Sequence, residues 1–94
     1  MVMDKLLYQI YVQGRVQGVW FRKYTLEKAR SIGLRGFVKN ESDNSVYIEA
    51  EGDAEQLNEF VKWLYRGSPL SRVTSVEYEK GAIENFQSFE VRSL

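Results

Sequence analysis

The chain has 94 residues, 44% apolar and 28% charged, the composition of a soluble globular chain with a single core. It contains no cysteine and no histidine, which excludes a disulfide framework, a thiol nucleophile, the commonest general base and the commonest zinc ligand. Formal charge is zero overall, which argues against extended nucleic-acid binding, but residues 1–40 carry eight Lys/Arg against two acids. Residues 41–94 reverse the balance, so a local positive field for a small anion is expected on the N-terminal part.

The first residues, MVMDKLLYQIYV, are too short and too interrupted for a signal peptide or a membrane span, so a cytoplasmic protein is expected. Residues 5–13 alternate, with Leu6, Tyr8, Ile10 and Val12 on one face, and predict a strand. From Phe21 the period becomes helical: Phe21, Thr25, Ala29 and Ile32, with Tyr24 alongside, make one buried face, and Gly33 closes the helix in a left-handed cap. Residues 34–41 and 46–51 predict a hairpin around Ser42-Asp43-Asn44-Ser45, with Val46, Ile48 and Ala50 inward and Glu49 and Glu51 on a solvated face. Asp53 and Gln56 form a capping-box pattern for a second helix, with Ala54, Leu57, Phe60, Val61, Leu64 and Tyr65 as its apolar face. Gly67-Ser68-Pro69 ends it, and strands follow at about 73–79 and 86–92.

That order is β-α-β-β-α-β plus a short C-terminal strand. It predicts an α+β, ferredoxin-like sandwich, in which two helices cover one face of a mainly antiparallel sheet, as one domain over 1–94. In a βαβ crossover the first two strands run the same way, so their C-terminal ends meet the start of the first helix. The loop Gly14-Arg15-Val16-Gln17-Gly18-Val19-Trp20, Arg22 in the first helical turn, and Lys39 and Asn40 at the end of the second strand should share one corner. A helix N-terminus offers unpaired amides and partial positive charge, and Gly14 and Gly18 permit the positive φ angles of an anion-binding nest. Arg22 supplies a planar fork for phosphate oxygens, and Asn40 both a donor and an acceptor that would orient a water molecule. The pattern is not a Walker loop, because Val19-Trp20 stands where a Lys-Ser/Thr pair would be.

The segment GRVQGVWFR, followed by GLRGFVKN, resembles the signature of the acylphosphatase family, Gly-x-Val-Gln-Gly-Val-x-Phe-Arg and Gly-Leu-x-Gly-x-Val-x-Asn. The likeness is detailed over 14–52 and continues more loosely through GSPLSRV and FEV. It departs at the hairpin, where Asp43-Asn44 replaces the family's Asp-Gly, a change that Asn tolerates in the left-handed region. The resemblance implies that the backbone amides of Arg15, Val16, Gln17, Gly18, Val19 and Trp20 hold the phosphoryl group. It also implies that Arg22 is the catalytic arginine and that Asn40 orients the water. The implied reaction is metal-independent hydrolysis of a small acyl phosphate to a carboxylate and inorganic phosphate, with no cofactor, no metal ligands, no nucleic-acid partner and a monomeric chain. Three other readings compete. An RNA-binding module shares the element order, and Arg35-Gly36-Phe37-Val38 partly resembles the stacking strand of RRM domains, but Lys39-Asn40-Glu41 lacks its later aromatic. A regulatory domain without turnover is the second, against which Arg22 and Asn40 are intact; a carbamoyl phosphate hydrolase, as in larger maturation proteins, is the third.

Overall fold

The structure, a computed structural model, describes residues 4–93; residues 1–3 and 94 of the expected 1–94 unit lie outside it. Seven elements follow in order: β1 (Leu6–Arg15), α1 (Phe21–Ile32), β2 (Arg35–Asn40), β3 (Val46–Gly52), α2 (Ala54–Arg66), β4 (Arg72–Gly81) and β5 (Phe89–Arg92). They build one five-stranded sheet, β4-β1-β3-β2-β5, antiparallel except that β5 adds parallel to β2 at the edge. Helix α1 lies over β2 and β5, and α2 over β4, β3 and β1. Because β3 pairs antiparallel with both β1 and β2, those two strands run parallel with β3 between them. Arg15 and Asn40 therefore end on the same edge.

Inward alternation puts Ile10, Val12, Val38, Val46, Ile48 and Ala50 fully inside, against Phe21, Thr25 and Ala29 of α1 and Leu57, Phe60 and Leu64 of α2. Phe60 and Phe89 meet edge to face with centroids 6.2 Å apart, which fastens the last strand under the helices. Gly33 adopts φ 96°, and its N–H bonds back to Ala29 and Arg30 as the C-cap glycine should. The capping box is complete, since Gln56 N–H donates to Asp53 and the Gln56 side chain accepts from Asp53 N–H, both at 2.9 Å. Asn44 holds the hairpin turn with φ 73°.

Four sequence expectations shift. β1 runs on to Arg15 because Gly14, at φ 124° beside a register shift, lets the strand bend; a Cβ there would strike the Arg72 carbonyl of β4. Tyr24, Ala54 and Tyr65 are exposed rather than core: they flank the apolar stripes, and Tyr65 reaches in only by its hydroxyl, which donates to the Val76 carbonyl at 3.2 Å. The last strand starts at Phe89, not 86, because residues 82–88 cross from the β4 edge of the sheet to the β5 edge. That crossing buries Glu51 to 1% exposure, which corrects its assignment to a solvated face. The Glu51 carboxylate accepts the N–H groups of Glu84, Asn85 and Phe86, with Lys5 Nζ at 3.7 Å. Burial alone would raise its pKa, but the three amides and Lys5 outweigh it and leave the pKa below the ordinary 4.5.

Candidate active site

The sheet edge where β1 and β2 end is also where α1 begins. Val16 and Val19 are buried and pin the connecting loop to the core, and Ser68 Oγ donates to the Val19 carbonyl at 2.8 Å from beneath. Gly18, between these anchors, takes φ 71°, and Trp20, just past them, takes φ 62°. A left-handed backbone at a bulky residue costs on the order of 1 kcal/mol or more, so the loop's shape is imposed by its surroundings. Trp20 serves as N-cap of α1 but offers no side-chain cap, and no acid stands in the first turn. Its carbonyl accepts the first helical bond, from Tyr24 N–H at 3.0 Å.

The consequence is a run of free donors. Among the described residues, the N–H groups of Val16 to Trp20 have no hydrogen-bond acceptor outside regular ladders, and the first N–H groups of α1 are uncapped. At this end of α1 lies a cleft of about 530 Å³ whose lining includes Val16, Gly18, Trp20, Arg22, Leu26 and Asn40, next to the positive end of the helix dipole. Arg22 is half-buried and pairs with no acid among the described residues; its guanidinium makes one long contact, 3.4 Å to the Arg92 carbonyl. Asn40, eighteen residues further along the chain, faces the same cleft. Its Oδ1 is buried and has no hydrogen-bond partner. Buried acceptors are ordinarily paired, so this oxygen is available to a donor that enters the cleft.

The structure thus brings Arg22, Asn40 and the middle of the loop together. Arg15 ends β1 opposite Arg72 and stands outside the cleft lining, and Val19 faces the core. Trp20 is 67% exposed on the cleft rim, with Lys23 Nζ 5.4 Å from its ring. The side chain of Gln17 turns away from the cleft, and its Nε2 donates to the carbonyls of Glu41 and Ser45 in the hairpin. Nothing in the local pattern signals that brace, because its two acceptors lie 24 and 28 residues away. At the tip of the hairpin Asp43 accepts from the hydroxyl and amide of Ser45, which hold its carboxyl below the ordinary 3.8. Among the described residues no three Asp, Glu, His or Cys are grouped as metal ligands.

The acylphosphatase family model matches residues 8–91. The chain belongs to the acylphosphatase family. An acylphosphatase of Archaeoglobus fulgidus is 48% identical over 83 residues, which cover 88% of this chain and 93% of that protein. The solved structure of an acylphosphatase from Coxiella burnetii has a TM-score of 0.91 at 34% identity, covering 95% of this chain and 94% of that one. The Bacillus subtilis acylphosphatase structure gives 0.90 at 40% identity, over 93% and 98%. These acylphosphatases match along nearly their whole length, so the likeness takes in the core and both helices as well as the loop.

Proposed function

We propose that this chain is an acylphosphatase that hydrolyses the carboxyl–phosphate bond of small acyl phosphates by direct, metal-independent attack of water. The observation that carries the reading is that one cleft is lined by Val16, Gly18 and Trp20 of the loop with uncapped amides, by Arg22, which meets no acid among the described residues, and by Asn40, whose Oδ1 has no partner among them. The amides of residues 16–20 hold the phosphoryl oxygens, and Arg22 adds charge and a planar fork; Arg15, paired in β1 outside the cleft, takes no part. Asn40 Oδ1 accepts a hydrogen from the attacking water and points its lone pair at phosphorus, in line with the departing oxygen.

In that step the water oxygen forms a bond to phosphorus while the bond from phosphorus to the acyl oxygen breaks. The electron pair leaves on the carboxylate, and the water proton passes to a phosphate oxygen or solvent. A carboxylic acid has a pKa of about 4–5, so the leaving group needs no general acid. The remaining task is positioning and charge stabilisation, which amides and an arginine supply without histidine or cysteine. The proposal includes residues 1–94 acting as one domain, monomeric and cytoplasmic. No helix among the described residues is long and apolar enough to cross a membrane.

The test is phosphate release from acetyl phosphate and benzoyl phosphate, with and without chelator, beside a simple phosphate monoester. Release from the anhydrides alone, unchanged by chelator, is the expected result. No release from either anhydride would overturn the reading, and loss on chelation would overturn its metal-independent form.

A further inference from the structure

The free amides belong to the loop that leaves β1, whereas Asn40 belongs to β2, and the sheet does not join the two. β3 lies between those strands, and its pairing with β1 ends at Val12↔Val46, three residues before the loop leaves β1 after Arg15. Beyond that ladder pair, the polar link from the loop to the hairpin among the described residues is the side chain of Gln17. Its amide uses both hydrogens, one to the Glu41 carbonyl at 2.9 Å and one to the Ser45 carbonyl at 2.8 Å. Those carbonyls sit on the two arms of the hairpin. Glu41 directly follows Asn40, and Ser45 directly precedes Val46, the ladder partner of Asn40. Glu41 N–H also donates to the Ser45 carbonyl at 2.8 Å, so the two arms are themselves tied where Gln17 grips them. A primary amide donating to two fixed acceptors has one orientation, and the backbone of the same residue lies in the middle of the loop.

We infer that Gln17 is a positioning residue, which sets the separation between the phosphate-holding amides and Asn40 by clamping the loop to the two residues that flank the Asn40 ladder pair. The inference rests on the proposed hydrolysis at this cleft and adds a requirement to it: the phosphoryl group and the water are held by different strands, and Gln17 registers one against the other. A displacement of about 1 Å between reacting groups is enough to lose a large factor in rate while leaving each partner's own contacts intact. Loss of the clamp therefore misaligns the attack more than it weakens binding of phosphate.

The experiment is a double-mutant cycle with Gln17→Met, which keeps the side-chain length and removes both donors, in the wild-type and Asn40→Ala backgrounds. With acetyl phosphate as substrate, Gln17→Met is expected to lower kcat about 10-fold in the wild-type background. The inhibition constant of inorganic phosphate should stay within about two-fold, because the amides and Arg22 still hold it. In the Asn40→Ala background the same change should cost less than about two-fold, since no aligned water remains to be misaligned. A full 10-fold loss in both backgrounds, an unchanged kcat, or a parallel loss of phosphate binding would each overturn the inference. Should Gln17→Met not fold, Gln17→Ser, which admits water to the two carbonyls, carries the same cycle with the same expectation. Absence of turnover in the unsubstituted enzyme would overturn the hydrolytic reading itself, an outcome distinct from additivity in the cycle.

Discussion

Glu51 and Asn40 stand at opposite ends of the same sheet, and both bury a side-chain oxygen. At one end the Glu51 carboxylate is met by three backbone amides and approached by Lys5. At the other, Asn40 Oδ1 has no partner among the described residues, and the cleft it faces is lined by the uncapped loop and by Arg22, which meets no acid among them. The polar groups of the first end satisfy one another, and the result is a fastening that holds residues 84–86 across the sheet. The polar groups of the second end are held apart by Val16, Val19, Ser68 and Gln17, so their hydrogen-bonding capacity is left for a ligand. At Glu51 paired burial supports the fold; at Asn40 an acceptor without a partner lines the cleft where the chemistry is proposed to occur, whereas Thr25 Oγ1, also without a partner, lies in the core away from that cleft.

Substitutions test that contrast, beginning with the largest effect. Arg22→Ala should lower turnover of acetyl phosphate by roughly 10³-fold, about 4 kcal/mol, with little change in the urea midpoint because Arg22 makes no ion pair among the described residues. A near wild-type rate in a phosphate-release assay would remove Arg22 from the mechanism. Glu51→Ala should do the reverse and destabilise the fold by about 3 kcal/mol in urea unfolding, since three amides lose their acceptor, with kcat kept at temperatures where both proteins are folded.

Glu51 also carries a pH signature. Its carboxyl titrates below the ordinary 4.5 in the folded chain, so its stabilisation is present above that value and disappears as pH falls through the folded pKa. Glu51→Gln should flatten that part of the stability–pH curve; an unaltered acid slope would show that other carboxylates carry it.

Asn40→Ala should cost turnover on the order of 10²-fold, about 2.7 kcal/mol, without lowering the unfolding midpoint, because the lost oxygen had no partner to begin with. A fall in stability comparable to that of Glu51→Ala would make the two ends alike and break the contrast. The smallest expected effect belongs to Trp20→Gly. Its exposed indole contributes little burial, and glycine relieves the left-handed strain, so thermal unfolding should show stabilisation of up to about 1 kcal/mol.

Much of the architecture was legible along the chain. The spans of the two helices, the capping box of Asp53 and Gln56, the Gly33 cap and the hairpin at Asn44 are local: each depends on residues within a few positions of one another, and each forms where its pattern predicts, although Tyr24, Ala54 and Tyr65 fall outside the buried helical faces. The βαβ crossover was also enough to bring Arg22 and Asn40 to one edge, because strand direction follows from the order of elements. Edges of elements were less legible. The last strand begins three residues later than its alternation predicts, since nothing in that alternation reveals that Phe86 N–H is held by the carboxylate of Glu51.

By itself, then, the sequence determined the secondary elements, the family signature and the corner of the fold where an anion would bind, because these depend on spacing and on short-range chemistry. Tertiary structure alone decided which polar groups at that corner are left unpaired. Glu51 looks like any outward acid until residues 84–86 fold over it. Gln17 looks like a loop amide until the hairpin carbonyls arrive. Asn40 Oδ1 is an ordinary acceptor until the packing around it supplies no donor. Whether a hydrogen bond is made or withheld depends on atoms far apart in the chain, and only their packing in space sets it.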